Sequence, residues 1–175
     1  LINQNLGPWL FTSLPQAKRL TDVPLAEYLK KHGTVLVVCD GHYPIAQPSP
    51  GIYVYRDWDS PDPAAGDLRV FDQYSNTMSY ATMKSDQFDK FDRYTGCCRD
   101  HPDVPCDLFL LSWTMTPPTN VPAFAAEPNQ QLTAALDHLH QPNRAGKIIN
   151  LLYADCVGTA ITDIAIRENL RDRGN

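Results

Sequence analysis

The sequence is poor in the features that would tie it to nucleic acid or carry it through a membrane. Its 15 Lys and Arg are outnumbered by 20 Asp and Glu, for a formal net charge of -5. Such a chain has no basic footprint for nucleic acid and no polybasic lever on an anionic bilayer. No apolar run reaches the ~18–20 residues that a membrane-spanning helix needs. The longest, around residues 108–113 and 148–153, are of strand length. Neither G-x-G-x-x-G nor G-x-S-x-G occurs, so there is no dinucleotide loop and no nucleophile elbow. There is no short-period repeat and no low-complexity tract. The opening "LINQNLGPWL" lacks a basic n-region and a long apolar h-region, so it does not read as an intact signal peptide. A chain that begins on Leu1 is expected to be a fragment or product of a longer one.

What is present suits one globular domain. The 175 residues are 43% hydrophobic and 20% charged, enough for a core of its own. Cysteine is used in two ways. Cys39 and Cys156 stand in apolar strand contexts and read as buried free thiols. Cys97, Cys98 and Cys106 bracket the loop "CCRDHPDVPC". A disulfide from Cys97 or Cys98 to Cys106 would suggest a secreted or extracellular protein. A metal site with His101 is a weaker reading, because adjacent cysteines lack the two-to-four-residue gap of a zinc knuckle.

Four runs read as strands: residues 34–40 (TVLVVCD), 68–74 (LRVFDQY), 107–116 (DLFLLSWTMT) and 147–155 (KIINLLYAD). They are near-continuously apolar, which predicts burial on both faces of a parallel sheet. The run 51–58 (GIYVYRDW) reads as an extra short strand or a covering loop. Helical patterns lie between them. Thr21 or Asp22 can cap a helix with Pro24 in its first turn and Gly33 at its end. Residues 83–94 place Phe88 and Phe91 on one face. Residues 128–140 place Leu132, Ala135, Leu136 and Leu139 at helical spacing, and 159–173 do the same with Ile161, Ile164, Ala165 and Ile166. Strands recurring every ~35–40 residues have the interval of βα units. The fold class is therefore α/β: half of an eight-stranded barrel, or a small open sheet.

Each strand finishes on polar or aromatic groups. The first ends at Asp40, the second at Asp72 and Tyr74, the third at Ser112, Trp113 and Thr114, and the fourth at Asp155. Parallel strands bring their C-terminal ends to one face, where barrels carry their chemistry. One aspartate after a strand is ordinarily just the start of a loop. Three, with a tyrosine two residues from one of them, favour a functional face.

"KIINLLYADCVGTAITDIAIREN" resembles the last βα unit of the phosphatidylinositol-specific phospholipase C family, the X-domain and bacterial-type phosphodiesterase barrels. "DLFLLSWTMTP", "LRVFDQYSN" and "HGTVLVVCDGH" are similar to the three preceding strands. The resemblance implies a (β/α) TIM-barrel-like fold, of which residues 1–175 are the C-terminal half with about the last four βα units. It implies that Asp72 and Tyr74 hold and stack on an inositol ring, that Trp113 belongs to the same pocket, and that Asp155 orients a catalytic histidine. Asp40 lies at or near a position where bacterial relatives have a basic contact, which argues for a different polar group in the pocket.

The family's two catalytic histidines belong to the half this chain does not contain. His32, His42, His101, His138 and His140 carry none of its histidine motifs. The resemblance therefore implies a phosphoric diester hydrolase only when the N-terminal half, or a second chain, completes the barrel. Four strands leave exposed edges and an uncovered apolar face, an association hazard that predicts such a partner. The expected ligand is a phospholipid headgroup or polyol phosphate. No cofactor is expected from these residues; calcium, used by some relatives, would be bound mostly by the missing half, since Asp72 and Asp155 are too few for a site wanting ~6–8 oxygens. The alternative is a non-catalytic polyol- or carbohydrate-binding protein on the same fold, to which the aromatic-rich strands with Trp58, Tyr74 and Trp113 are suited. A third reading is a self-contained α/β sheet unrelated to the family.

Overall fold

The computed structural model describes residues 2–12, 14, 19–29, 35–40, 51–57, 67–95, 108–144 and 146–171. The fold is α/β, with every described strand pairing parallel and helices between strands. The chain divides into two compact units. One holds residues 1–71 and 101–108; the other holds 72–100 and 109–175.

The first unit contains helices α1 (Ile2–Leu6) and α2 (Leu25–Tyr28) and strands β1 (Val37–Asp40), β2 (Ile52–Asp57) and β3 (Leu68–Phe71). The run 51–58 thus supplies a strand, β2, placed between β1 and β3. Val38 pairs with Tyr53 and Tyr55 with Leu68. Asp67 locks the second register: its carboxylate accepts from Val54 N at 2.8 Å while its own N–H donates to Val54 O at 2.9 Å. Phe11, Leu20 and Tyr53 form a buried cluster joined by Leu14, Val23, Tyr28, Val38 and Leu68. The two phenols in it are satisfied, Tyr28 donating to Leu20 O at 2.5 Å and Tyr53 to Phe11 O at 2.8 Å. The expected long helix after Thr21 is instead a 3-10 turn, Leu20–Asp22, followed by the four residues of α2.

Gly51, which opens β2, has φ of +84°, and a Cβ there would meet Leu10 Cβ at 3.0 Å and Phe11 O at 3.2 Å. Both the left-handed backbone and the close approach demand glycine. Gly51→Ala is expected to cost about 1–3 kcal/mol in urea unfolding.

The second unit contains α3 (Tyr80–Tyr94), β4 (Leu108–Trp113) from its second residue on, α4 (Val121–Leu139), β5 (Leu151–Ala154) and α5 (Thr159–Arg171). Ser79 caps α3, its hydroxyl accepting from Thr82 N at 3.3 Å. In β4, Phe109, Leu111 and Trp113 alternate onto one buried face. Phe91 of α3 meets Phe109 edge-on at 5.7 Å, and Phe88 stacks on Trp113 at 6.1 Å. Met83, Leu132, Leu136 and Leu139 complete this core. Leu111 pairs with Leu152 and Trp113 with Ala154. Below that register, Asn150 extends the pairing, its side-chain oxygen accepting from Phe109 N at 2.8 Å.

Four expectations are corrected here. Helix α4 starts seven residues before Pro128, because Pro122 sits in its first turn and Pro128 is accommodated in its interior. The Pro128 carbonyl accepts from the Trp113 indole at 2.7 Å, which ties this part of the helix to β4. Strand β5 is not buried on both faces: Leu151 and Tyr153 are exposed, 39% and 55%, while Ala154 is buried. In α5 the inward stripe runs through Ile161, Ile164 and Ala165, and Ile166 points outward. Cys156 is an exposed free thiol rather than a buried one, because pairing stops at Ala154 and the chain bends away. Cys39 is half-buried and free. Cys97, Cys98, Cys106, His32, His42, His101 and Trp58 lie outside the described residues.

Ion pairs gather at the C-terminal ends of α3 and α4. Arg144 grips Asp92 with two bonds of 2.7 Å, and Lys147 lies 3.5 Å from the same carboxylate. Arg144 holds the Asp92 carboxyl below its usual range of 3.8, with burial opposing and Lys147 assisting. A depressed carboxylate stabilises the fold above its unfolded pKa and loses that contribution as pH falls through the folded value. Asp92→Asn should therefore be less stable at neutral pH, by less than about 1 kcal/mol for so exposed a group. The difference from wild type should close as the pH drops below 3.8. Urea midpoints measured across that range check it.

Candidate functional site at the strand ends

The residues singled out at strand ends divide between the units. Asp40 ends β1 in the first unit, where only its backbone is described. Asp72, Tyr74, Trp113 and Asp155 all belong to the second.

Within the second unit, hydrogen bonds bring three chain segments to one end of the β4–β5 pair. The first segment, residues 72–77, leaves β3 and runs to the cap of α3 without joining a described strand. Its exposure alternates: Asp72, Tyr74 and Asn76 are exposed, and Gln73, Ser75 and Thr77 are half-buried. The inner members are tied down. Thr77 O accepts from Thr116 N at 2.9 Å, just past the end of β4. Gln73 O accepts from Gln87 at 2.9 Å and from Lys90 at 3.2 Å. Ser75 Oγ accepts from Gln87 at 3.0 Å. The remaining oxygen of Gln87 accepts from Ser112 N in β4 at 3.0 Å.

The second segment is the end of β4. Ser112 and Thr114 are buried, with their hydroxyls 3.3 Å apart. They alternate with Trp113, so they occupy the face opposite the aromatic core, in register with Tyr153. The third is the end of β5. Ala154 pairs with Trp113, and Asp155 follows in the bend that ends the strand. Asn129 Nδ2 donates to Asp155 O at 2.9 Å, one residue after Pro128 holds the Trp113 indole. The dipeptide Pro128–Asn129 in α4 thus fixes both strand ends. Cys156 then takes a left-handed backbone, φ +53°, and Asn76 does so at φ +44°. Such conformations are costly for residues other than glycine and cluster at functional sites.

Chemically, the end of this unit offers two carboxyl groups, a 57% exposed tyrosine ring at position 74 and two hydroxyls. Carboxylates can accept hydroxyl or imidazole hydrogens, and an exposed ring can stack on the C–H face of a polyol. Trp113 is placed differently: it is 1% exposed, its N–H is bonded to Pro128, and Tyr80 packs edge-on at 5.9 Å. It buttresses the strand end from the helix side. Burial, with Glu127 nearby, raises the Tyr80 phenol above its usual pKa, so it stays neutral. Trp113→Phe should lower stability by roughly 1–3 kcal/mol through the lost indole bond and the space left by the smaller ring, read from the thermal midpoint.

The described histidines lie on other duties. His138 stacks on Phe88 at 5.1 Å, and His140 sits 2.9 Å from Glu168. Both are at the C-terminal end of α4. Among the described residues no group of three or more His, Cys, Asp or Glu is placed to hold a metal. No described helix is long and apolar enough to cross a membrane.

Reading the sequence for apolar stripes and strand-end acids passes over Gln87, Lys90, Asn129 and Asn76. For Gln87 a signal was available. Met83, Gln87 and Phe91 recur every four residues on the buried stripe of α3, and an amide in such a row needs partners. Asn129 had none, since a polar residue beside a proline in a helix is usually solvated.

The chain matches no protein-family model, no curated protein and no solved structure.

Proposed function

We propose that this chain is the C-terminal half of a phospholipase C-like phosphodiesterase barrel. Asp155 accepts a hydrogen bond from a histidine of the N-terminal half, fixing its tautomer and raising its basicity. Asp72 accepts hydroxyl hydrogens of the polyol headgroup while Tyr74 covers its ring. Trp113 is a support for this pocket rather than a contact. Asp40, which ends β1 of the first unit, is a further candidate polar contact. The observation that carries the proposal is the parallel pairing of Trp113 with Ala154 just before Asp155, with the end of β4 tied by Gln87 to the segment bearing Asp72 and Tyr74.

The reaction needs a proton taken from an attacking hydroxyl and one given to the leaving oxygen, and histidines of the other half do both. The exposed Leu151 and Tyr153 of β5 fit a strand face that the other half would cover. Export from the cell goes with the same reading, through a Cys97 or Cys98 link to Cys106. The test is reconstitution: the chain expressed with its N-terminal half should cleave phosphatidylinositol, and the chain alone should not. Cleavage by the chain alone would sink the proposal.

A second reading is a polyol binder on the same fold, favoured by the 57% exposed ring of Tyr74 beside an exposed Asp72. A barrel with no histidines at its mouth would bind a polyol without cleaving it. In that case myo-inositol binds and the reconstituted protein turns over nothing.

A further inference from the structure

The buried side chain with the most specific duty in the second unit is Gln87. It is 0% exposed, on the apolar stripe of α3 between Met83 and Phe91. An amide buried there destabilises the fold unless its donors and acceptor are paired. All are paired by groups of the strand-end region, Gln73 O, Ser75 Oγ and Ser112 N. An apolar residue of similar size would have filled the stripe without this demand. The amide does what sheet pairing does elsewhere, linking the backbone of residues 73–75 to β4 through a side chain.

Lys90, one turn further along α3, adds a second tie. Its ammonium donates to Gln73 O and Tyr74 O, both at 3.2 Å, and to Asp86 Oδ2 at 2.6 Å. Burial works against ionisation of Asp86, but hydrogen bonds from Lys90, Ser75 and Gln87 outweigh it and lower its pKa. The inner positions of the segment are therefore held from α3, and the outer positions, Asp72, Tyr74 and Asn76, are exposed. Asn76 keeps its left-handed φ of +44°, and Thr116 Oγ1 approaches its side-chain oxygen at 3.4 Å.

We infer that Gln87 is a positioning residue that holds residues 73–75 so that Asp72, Tyr74 and Asn76 form one polyol-recognising row, with Asn76 its third contact. This rests on the polyol-binding part of the proposed function, which the enzyme and the binder share. A carboxylate, an aromatic face and an amide at alternate positions offer an acceptor, a stacking surface and a donor along one exposed edge of the segment. The row discriminates by spacing only if the backbone beneath it does not move, and Gln87 with Lys90 supplies that rigidity.

The test uses the full chain with myo-inositol and myo-inositol 1-phosphate as probes, titrated by calorimetry, and hydrogen exchange read at residues 73–75. Gln87→Met keeps the volume and removes the bonds. It should lose exchange protection at 73–75 and weaken probe binding roughly 10–100-fold, the scale of an ångström-level misplacement. Phe91→Leu, a core change at the other end of the strand, should lower the thermal midpoint and leave probe affinity unchanged. Asn76→Gly keeps the backbone freedom and removes the amide; it should weaken binding with protection at 73–75 intact. Should Gln87→Met not fold, Gln87→Glu, which keeps the acceptor and loses both donors, replaces it with the same expectation. Wild-type affinity in the folded Gln87 variant overturns the inference and leaves the functional reading standing. Wild-type affinity in Asn76→Gly ends the row at Tyr74 and overturns its extension. A wild-type chain that binds neither probe overturns the functional reading, and the inference with it.

Discussion

Asp155→Asn in the completed barrel should lower kcat for phosphodiester cleavage by roughly 10²–10⁴-fold, the range expected for disabling a general acid–base group. The substitution keeps the size of the side chain. The backbone bond from Asn129 to the carbonyl of residue 155 does not involve the carboxylate, so the strand end stays in place. On the proposed reading, what is lost is the acceptor that selects one histidine tautomer and stabilises its protonated form. KM should change little, because Asp155 is assigned to the histidine and not to the headgroup. A steady-state comparison of kcat and KM separates the two. An equal loss through KM with kcat intact would mean that Asp155 binds substrate and orients nothing.

Phe91→Ala should destabilise the second unit by about 3–5 kcal/mol. Phe91 is fully buried, with Phe109 edge-on at 5.7 Å on β4. Lys147 Nζ lies 6.0 Å from its ring centre, so the ring also carries a cationic neighbour. Removing it opens a cavity between α3 and the start of β4. For a chain of this size the loss corresponds to a drop of roughly 6–20 °C in thermal midpoint. A drop of a degree or two would show that this core tolerates voids, and that the α3–β4 packing is not what holds the unit.

Much of the architecture could be read from periodicity. The apolar runs around 37–40, 68–71, 108–113 and 151–154 are strands, and all are parallel as their near-continuous apolarity suggested. The helical stripes of Leu132, Ala135, Leu136 and Leu139 are buried as spaced. The sequence was less informative at boundaries and edges. Pro128 looks like a helix start, yet it lies inside α4, which begins at Val121 with Pro122 in its first turn. Tyr153 looks like core and is exposed, because apolarity records what a face needs and not what covers it. Trp113 looks like a ligand-stacking ring, but alternation along β4 turns it to the helix side and leaves Ser112 and Thr114 on the other.

The candidate site was legible as a set of acids at strand ends, and its supports were not. Asp72, Tyr74 and Asp155 announce themselves by position after apolar runs. Gln87 and Asn129 act through bonds to carbonyls 14 and 26 residues away, a separation that no local pattern encodes. Only the oddity of an amide in the stripe Met83, Gln87, Phe91 could have pointed to the first.

The most direct test of the account is 31P NMR of phosphatidylinositol vesicles incubated with this chain joined to its N-terminal half. A phosphorus signal leaving the lipid for a soluble inositol phosphate, absent for the chain alone and for Asp155→Asn, is the predicted result. An unchanged lipid spectrum from the joined, folded protein would contradict it, and Asp72, Tyr74 and Asp155 would then belong to a pocket that binds without cleaving.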